Sequence, residues 1–135
     1  MIYSLKKIEL LARSLMGDKK VFAQLRKDAP EMAALGAALV GNAAAMKWLL
    51  VHEPTLALFA DAVEGNKTAT QMLLKEKHHE LAAVANMLND DENAEMWLEK
   101  HNLKHFINLA VAIQDALDKA AKHDLGNYFS LYGVA

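Results

Sequence analysis

A chain of 135 residues fits one domain, and its lack of cysteine excludes disulfides, thiolate metal sites and cysteine nucleophiles. A net charge of −2 and a pI near 6.3 exclude the electrostatic footprint of a nucleic-acid or anionic-membrane binder. Only two prolines and six glycines interrupt an alanine-rich sequence, which points to an all-α fold.

Residues 1–7 lack the charged start and long apolar core of a signal peptide. No run of about 18 apolar residues marks a membrane span, so the chain is expected in the cytoplasm with no membrane partner. The first repeating unit opens at Ile8, where Ile8, Leu11, Ala12 and Leu15 form the i, i+3, i+4, i+7 pattern of one helix face. Gly17-Asp18 then punctuates the chain. Gly takes the left-handed conformation that closes a helix, and Asp accepts from the free N–H groups that open the next. Val21, Gln24 and Leu25 mark the second helix, and Pro30 stands where the next unit begins, suited to a first helical turn by its missing N–H.

The second unit starts at Met32, carries Gly41-Asn42 at the matching place, continues through Ala45, Trp48 and Leu49, and meets Pro54. A third follows from Leu56, with Phe59, Ala60 and Val63, the pair Gly65-Asn66, then Ala69, Met72 and Leu73. The fourth has Leu81, Val84, Ala85 and Leu88, the pair Asp90-Asp91, then Ala94, Trp97 and Leu98. The period is 24–25 residues.

From Phe106 the pattern changes. Residues 103–123 hold no Gly or Pro, and Phe106, Leu109, Ala110, Ile113, Leu117, Ala120 and Ala121 lie on one stripe. A single longer helix is expected to cap the array, since the last unit has no neighbour to cover its apolar face. Gly126-Asn127 should end it. The expected layout is a helical-repeat domain over residues 1–125 and an aromatic tail, with Tyr128, Phe129 and Tyr132, over 126–135.

Register adds one more regularity. Ala12, Gly36, Ala60, Ala85 and Ala110 all occupy the fifth position of their units. A position never larger than a methyl group predicts close contact between successive first helices. The fold expected is a right-handed α-solenoid of about five short helical-hairpin repeats.

The Gly-Asn/Asp pair, the following Ala and Trp-Leu, as in Gly41-Asn42, Ala45 and Trp48-Leu49, resemble the short helical-hairpin repeats of uncharacterised bacterial α-solenoid proteins. The likeness runs from residue 8 to about 113. It implies architecture and carries no activity, because helical repeats host many functions.

Chemistry is sparse. Gly-x-Ser-x-Gly, Walker, Rossmann and His-Glu-x-x-His motifs are absent. His78, His79, His101 and His105 fall near inter-helix corners, where stacking would gather them on one edge and Glu80 and Glu99 would suit zinc. The structural account of the same histidines is favourable placement at helix C-termini. Asp90, Asp91, Glu92, Glu95 and Glu99 lack the ligand spacing of a calcium loop and read as helix capping. Lys6, Lys7, Lys19, Lys20, Arg26 and Lys27 have no aromatic platform beside them, so no nucleic-acid partner is expected. Trp48, Met72 and Trp97 form a row of large residues expected on the inner stripe, with an exposed ridge as the other reading.

One unit stands out. Lys47 is the only charge in residues 32–51, and the segment 32–40 has no polar side chain on any face. A helix apolar all round should be buried on more than one side. The N-terminal helix, the aromatic tail or another protein are the available covers, and sandwiching between neighbouring units is the purely structural account. Val40, Ala44, Lys47, Trp48 and Val51 are expected to border a contact with a protein or peptide, self-association included. The expected function is therefore a non-enzymatic interaction or scaffold module without a cofactor. The alternative is a metal-binding protein or metal-dependent enzyme using the His-rich edge.

Overall fold

The computed structural model describes residues 3–122, and the tail expected over 126–135 lies outside them. Within the described residues the chain forms α1 (Leu5–Leu15), α2 (Lys19–Asp28), α3 (Pro30–Leu39), α4 (Ala43–His52), α5 (Pro54–Val63), α6 (Lys67–Lys75), α7 (His79–Leu88), α8 (Glu92–Lys100) and α9 (Lys104–Lys122). Each odd-numbered helix up to α7 pairs with the even-numbered helix that follows it, and the odd-numbered helices also pack against one another in order. This is an all-α helical-repeat array.

The punctuation pairs act through one hydrogen-bond pattern. Gly17, Gly41 and Gly65 have φ near +100°, and Asp90 takes the same left-handed role at φ 68°. Around each, two backbone N–H groups reach back to carbonyls of the finished helix. Gly41 donates to Ala38 and Asn42 to Ala37, at 3.0 and 3.1 Å, and the same register recurs in the other three units. The next residue then caps the outgoing helix. Asn42 Oδ1 accepts from the Ala45 N–H at 2.8 Å, Asp18 from Val21 and Asn66 from Ala69 at 3.1 Å, and Asp91 from Asn93 at 3.0 Å.

Two kinds of corner join one unit to the next, and they account for the mixed period. At Ala29 and Glu53 a single non-helical residue separates the helices, followed by Pro30 or Pro54 in the first turn. Without proline, the third and fourth units close on a left-handed residue, Lys77 at φ 67° or Asn102 at φ 58°. There, His78 donates to Leu73 and Leu103 to Leu98. Three linking residues after a nine-residue outer helix replace one after a ten-residue helix, so the unit is one residue longer.

The core is the set of inward stripes of the odd-numbered helices. Ile8, Leu11, Met32, Leu35, Leu56, Phe59, Leu81 and Phe106 are fully buried. The small fifth-position residues Ala12, Gly36, Ala60, Ala85 and Ala110 are all buried too, as close approach requires. By contrast α4, α6 and α8 each bury only two residues: Ala45 and Leu49, Ala69 and Leu73, Ala94 and Leu98. The outer helices therefore rest on the inner row by a narrow small-plus-leucine stripe. Trp48, Met72 and Trp97 flank that stripe instead of joining it. Trp48 and Met72 are exposed and Trp97 is half-buried, so the inner-stripe placement expected for this row is corrected to a flanking one.

Helix α9 is the long terminal helix anticipated. Its apolar flank is not left without a neighbour, because α1 packs along it as extensively as any pair of helices in the fold. The row α1, α3, α5, α7, α9 consequently closes on itself. Outer helices α2, α4, α6 and α8 each cover one junction of this row. Among the described residues, nothing covers the fifth junction, where α9 meets α1.

Candidate interaction surface

The strongly apolar second unit divides into two halves with different fates. In α3, every residue from Leu35 to Leu39 is buried, as are Met32 and Ala33, and α1, α2, α4 and α5 all pack against it. Neighbouring units thus supply the cover that its all-round apolar character demanded. Among the described residues, the outer face of helix α4 has no such cover. It exposes Ala43, Ala44, Lys47, Trp48, Leu50, Val51 and His52.

On α4 the exposure falls on large apolar groups: Trp48 is 38% exposed, Leu50 57% and Val51 76%. Ala44 and Lys47 share this outward arc, so four of the five residues expected at the contact do meet on one surface. Val40 does not. It forms the C-cap of α3 at 4% exposure and lies beneath the hairpin, where it cannot offer side-chain surface. Leu50 is exposed as well, at the far edge of the arc. Comparison of units reveals it: the position held by Leu50 is Arg26, Leu74 and Glu99 elsewhere, and that of Val51 is Lys27, Lys75 and Lys100. Only this unit lacks a charge at both.

The rim of the surface is polar but weakly charged. The rings of Trp48 and His52 sit one helical turn apart with centroids at 4.6 Å. Trp97 and His101 repeat that arrangement in the fourth unit, stacked at 4.3 Å. His101 Nδ1 lies 2.8 Å from the Trp97 carbonyl oxygen. A carbonyl only accepts, so Nδ1 is the donor in this contact. His79 flanks the other side of Trp97 at 6.4 Å, while His105 lies in the groove between α1 and α9. His79 and His101 thus share the Trp97 ring, and His105 lies apart from them. Among the described residues no group of three or more His, Asp or Glu side chains is placed to hold a metal ion.

Charge elsewhere serves the fold. Lys7 Nζ meets Glu31 Oε1 at 2.9 Å, one repeat apart, tying α1 to α3. The backbone N–H of Val21 at the α2 N-terminus, with Arg13 adding to it, holds the Asp18 carboxyl below its ordinary range. The acidic residues Asp91, Glu92 and Glu95 occupy the cap and first turn of α8, where the helix favours negative charge. Among the described residues no helix is long and apolar enough to cross a membrane.

Taken together, the fold defines the class as an all-α helical-repeat protein, in which, among the described residues, one outer helix shows an uncovered apolar face. No protein-family model, curated protein or solved structure matches the sequence.

Proposed function

We propose that this protein is a non-enzymatic interaction or scaffold module that presents the outer face of α4 to a protein or peptide partner. The observation that carries the reading is the exposed outer arc of α4, where Trp48 and Val51 share one face with Ala44 and Lys47 and Leu50 lies at the far edge, with Lys47 as its only full charge. Exposed apolar clusters of this kind mark contact surfaces, and an anchoring tryptophan is a common source of binding energy. A short helix held at both ends by hydrogen-bonded corners loses little conformational freedom on binding, which lowers the cost of association. The likeness to short helical-hairpin repeats of bacterial α-solenoid proteins suits such a role, as does a cytoplasmic setting for a cysteine-free chain.

The test restores to α4 the charges that its counterpart α2 carries. Leu50→Arg with Val51→Lys copies Arg26 and Lys27 and should change stability by less than about 0.5 kcal/mol, since both side chains are exposed. A protein recovered stoichiometrically on the wild-type chain should be lost from the variant by roughly thirtyfold in affinity, the scale of a hot-spot deletion. Light scattering on both chains reads self-association in the same experiment. Equal capture by wild type and variant, or monomers in both with no capture by either, would remove this assignment.

A further inference from the structure

The outer faces of α2 and α8 carry an inference independent of the α4 surface. On an outer helix the residues one, five and eight places after the N-cap lie within an arc of about 60°, turned away from the buried stripe. In α2 these are Lys19, Ala23 and Arg26, and in α8 they are Glu92, Met96 and Glu99. The other outer helices lack the pattern, since α4 has Ala43, Lys47 and Leu50 there and α6 has Lys67, Gln71 and Leu74. All three residues are exposed on each of α2 and α8, with Met96 at 64%. One face thus presents two cations around a methyl group. The other presents two carboxylates around a long thioether.

These charges are not spent within the fold. Lys7, Arg13 and Lys119 have carboxylate partners in the chain. Among the described residues, Lys19, Lys20, Arg26, Glu92, Glu95 and Glu99 enter no ion pair. Helices α2 and α8 are also the first and last of the outer set, on the two sides of the uncovered α9–α1 junction. Each therefore lacks an outer neighbour on one side among the described residues.

Laid side by side in parallel, the two faces match in register. The end charges of each face stand seven residues apart, about 10.5 Å along a helix, so both ends meet at once. Lys19 falls opposite Glu92 of a second copy, Arg26 opposite Glu99, and Ala23 leaves room for Met96 at the same level. On the flank, Lys20 comes beside Glu95. The antiparallel arrangement instead turns Lys20 toward Lys100, a like pair. Parallel helix dipoles oppose the first arrangement only in the terminal turns.

We propose that the protein associates head to tail with a second copy of itself, α2 of one molecule lying parallel to α8 of the next, with Lys19, Lys20 and Arg26 meeting Glu92, Glu95 and Glu99. The two surfaces differ, so the contact is heterologous and each copy keeps one of each face to offer. Its ion pairs stay exposed at the edge of a small contact, which makes the association weak and salt-dependent.

Sedimentation equilibrium on the full chain, up to about 1 mM protein, reads such a weak contact. Wild type should self-associate at low salt and lose about tenfold in association constant at high salt. Two double variants of unchanged net charge test the register. Lys19→Glu with Glu92→Lys exchanges a facing pair and should stay within about threefold of wild type. Lys19→Glu with Glu99→Lys sets like charges opposite each other at both ends and should bind about tenfold more weakly or worse. Circular dichroism confirms that both variants fold. A monomeric wild type, equal constants for the two variants, or the reverse order would overturn the proposal. Leu50→Arg with Val51→Lys should leave the association unchanged. Its loss in that variant would also overturn the proposal, and would assign self-association to α4. None of these failures bears on capture of a different protein by α4, so the two readings stand or fall separately.

Discussion

Lys77 shows how much a single corner residue reveals. Its counterpart in the first two units is the proline corner, and with no proline available it turns the chain in the left-handed region at φ 67°. A side chain bearing a Cβ costs roughly 1–2 kcal/mol there, partly offset in glycine by the larger entropy of its unfolded state. Lys77→Gly should therefore stabilise the fold by about 0.5–1 kcal/mol, read as an upward shift in the denaturant midpoint at unchanged slope. A midpoint at or below the wild-type value would show that Lys77 makes a compensating contact. Tyr3 gives the pH-dependent counterpart. Burial first, then the carboxylates of Glu53 and Glu31, raise its phenol from 10.0 to about 12. The folded state thus holds this proton more tightly than the unfolded chain. The stabilisation is complete below pH 10 and disappears as pH rises from 10 towards 12. Tyr3→Phe should flatten the loss of stability across that window, and identical alkaline profiles for both proteins would contradict the assignment.

At the scale of the helix, inner and outer elements answer to different constraints. An inner helix touches the inner helices before and after it as well as its own partner, so even a methyl group is the upper limit at the fifth position. Ala60→Leu should cost about 1–3 kcal/mol through overpacking between α5 and its neighbours. An unchanged melting temperature would mean that the helices can separate without loss. Outer helices bury two residues, or three in α2, and leave the rest of their surface free to vary. That freedom is why α2 is basic, α8 acidic and α4 apolar on a common backbone. A scaffold that fixes only the Ala and Leu of each outer helix can display a different surface on every unit.

For the whole molecule, the contact between α1 and α9 matters most. An open repeat array is held by neighbour contacts alone, and its end units loosen first. Here the two ends of the described row share a contact, so loosening one exposes the other. Amide exchange should show protection in α1 and α9 comparable to that in α5, within about 1 kcal/mol of opening free energy. Ala112→Glu, which places a charge on the buried edge of the junction, should lower protection in both terminal helices together. Loss confined to α9 would indicate that the ring does not act as a unit.

Much of this was written locally. The Gly-Asx pairs, the proline corners and the 24–25-residue period specify each hairpin because capping and left-handed turns involve only residues a few positions apart. The small fifth position was equally legible, since it repeats. Part of the α4 surface was legible too: Ala44, Lys47, Trp48 and Val51 follow from the scarcity of charge, while Leu50 needed comparison across units. Burial of Val40, exposure of Trp48 and Met72, and the covering of α3 were decided only in three dimensions. A helical wheel shows which residues share a face, but not how wide a stripe the neighbour will take. Closure of the row is the plainest case, because it depends on the angle between successive units. That angle accumulates over the whole array from packing contacts, and no single stretch of sequence contains it.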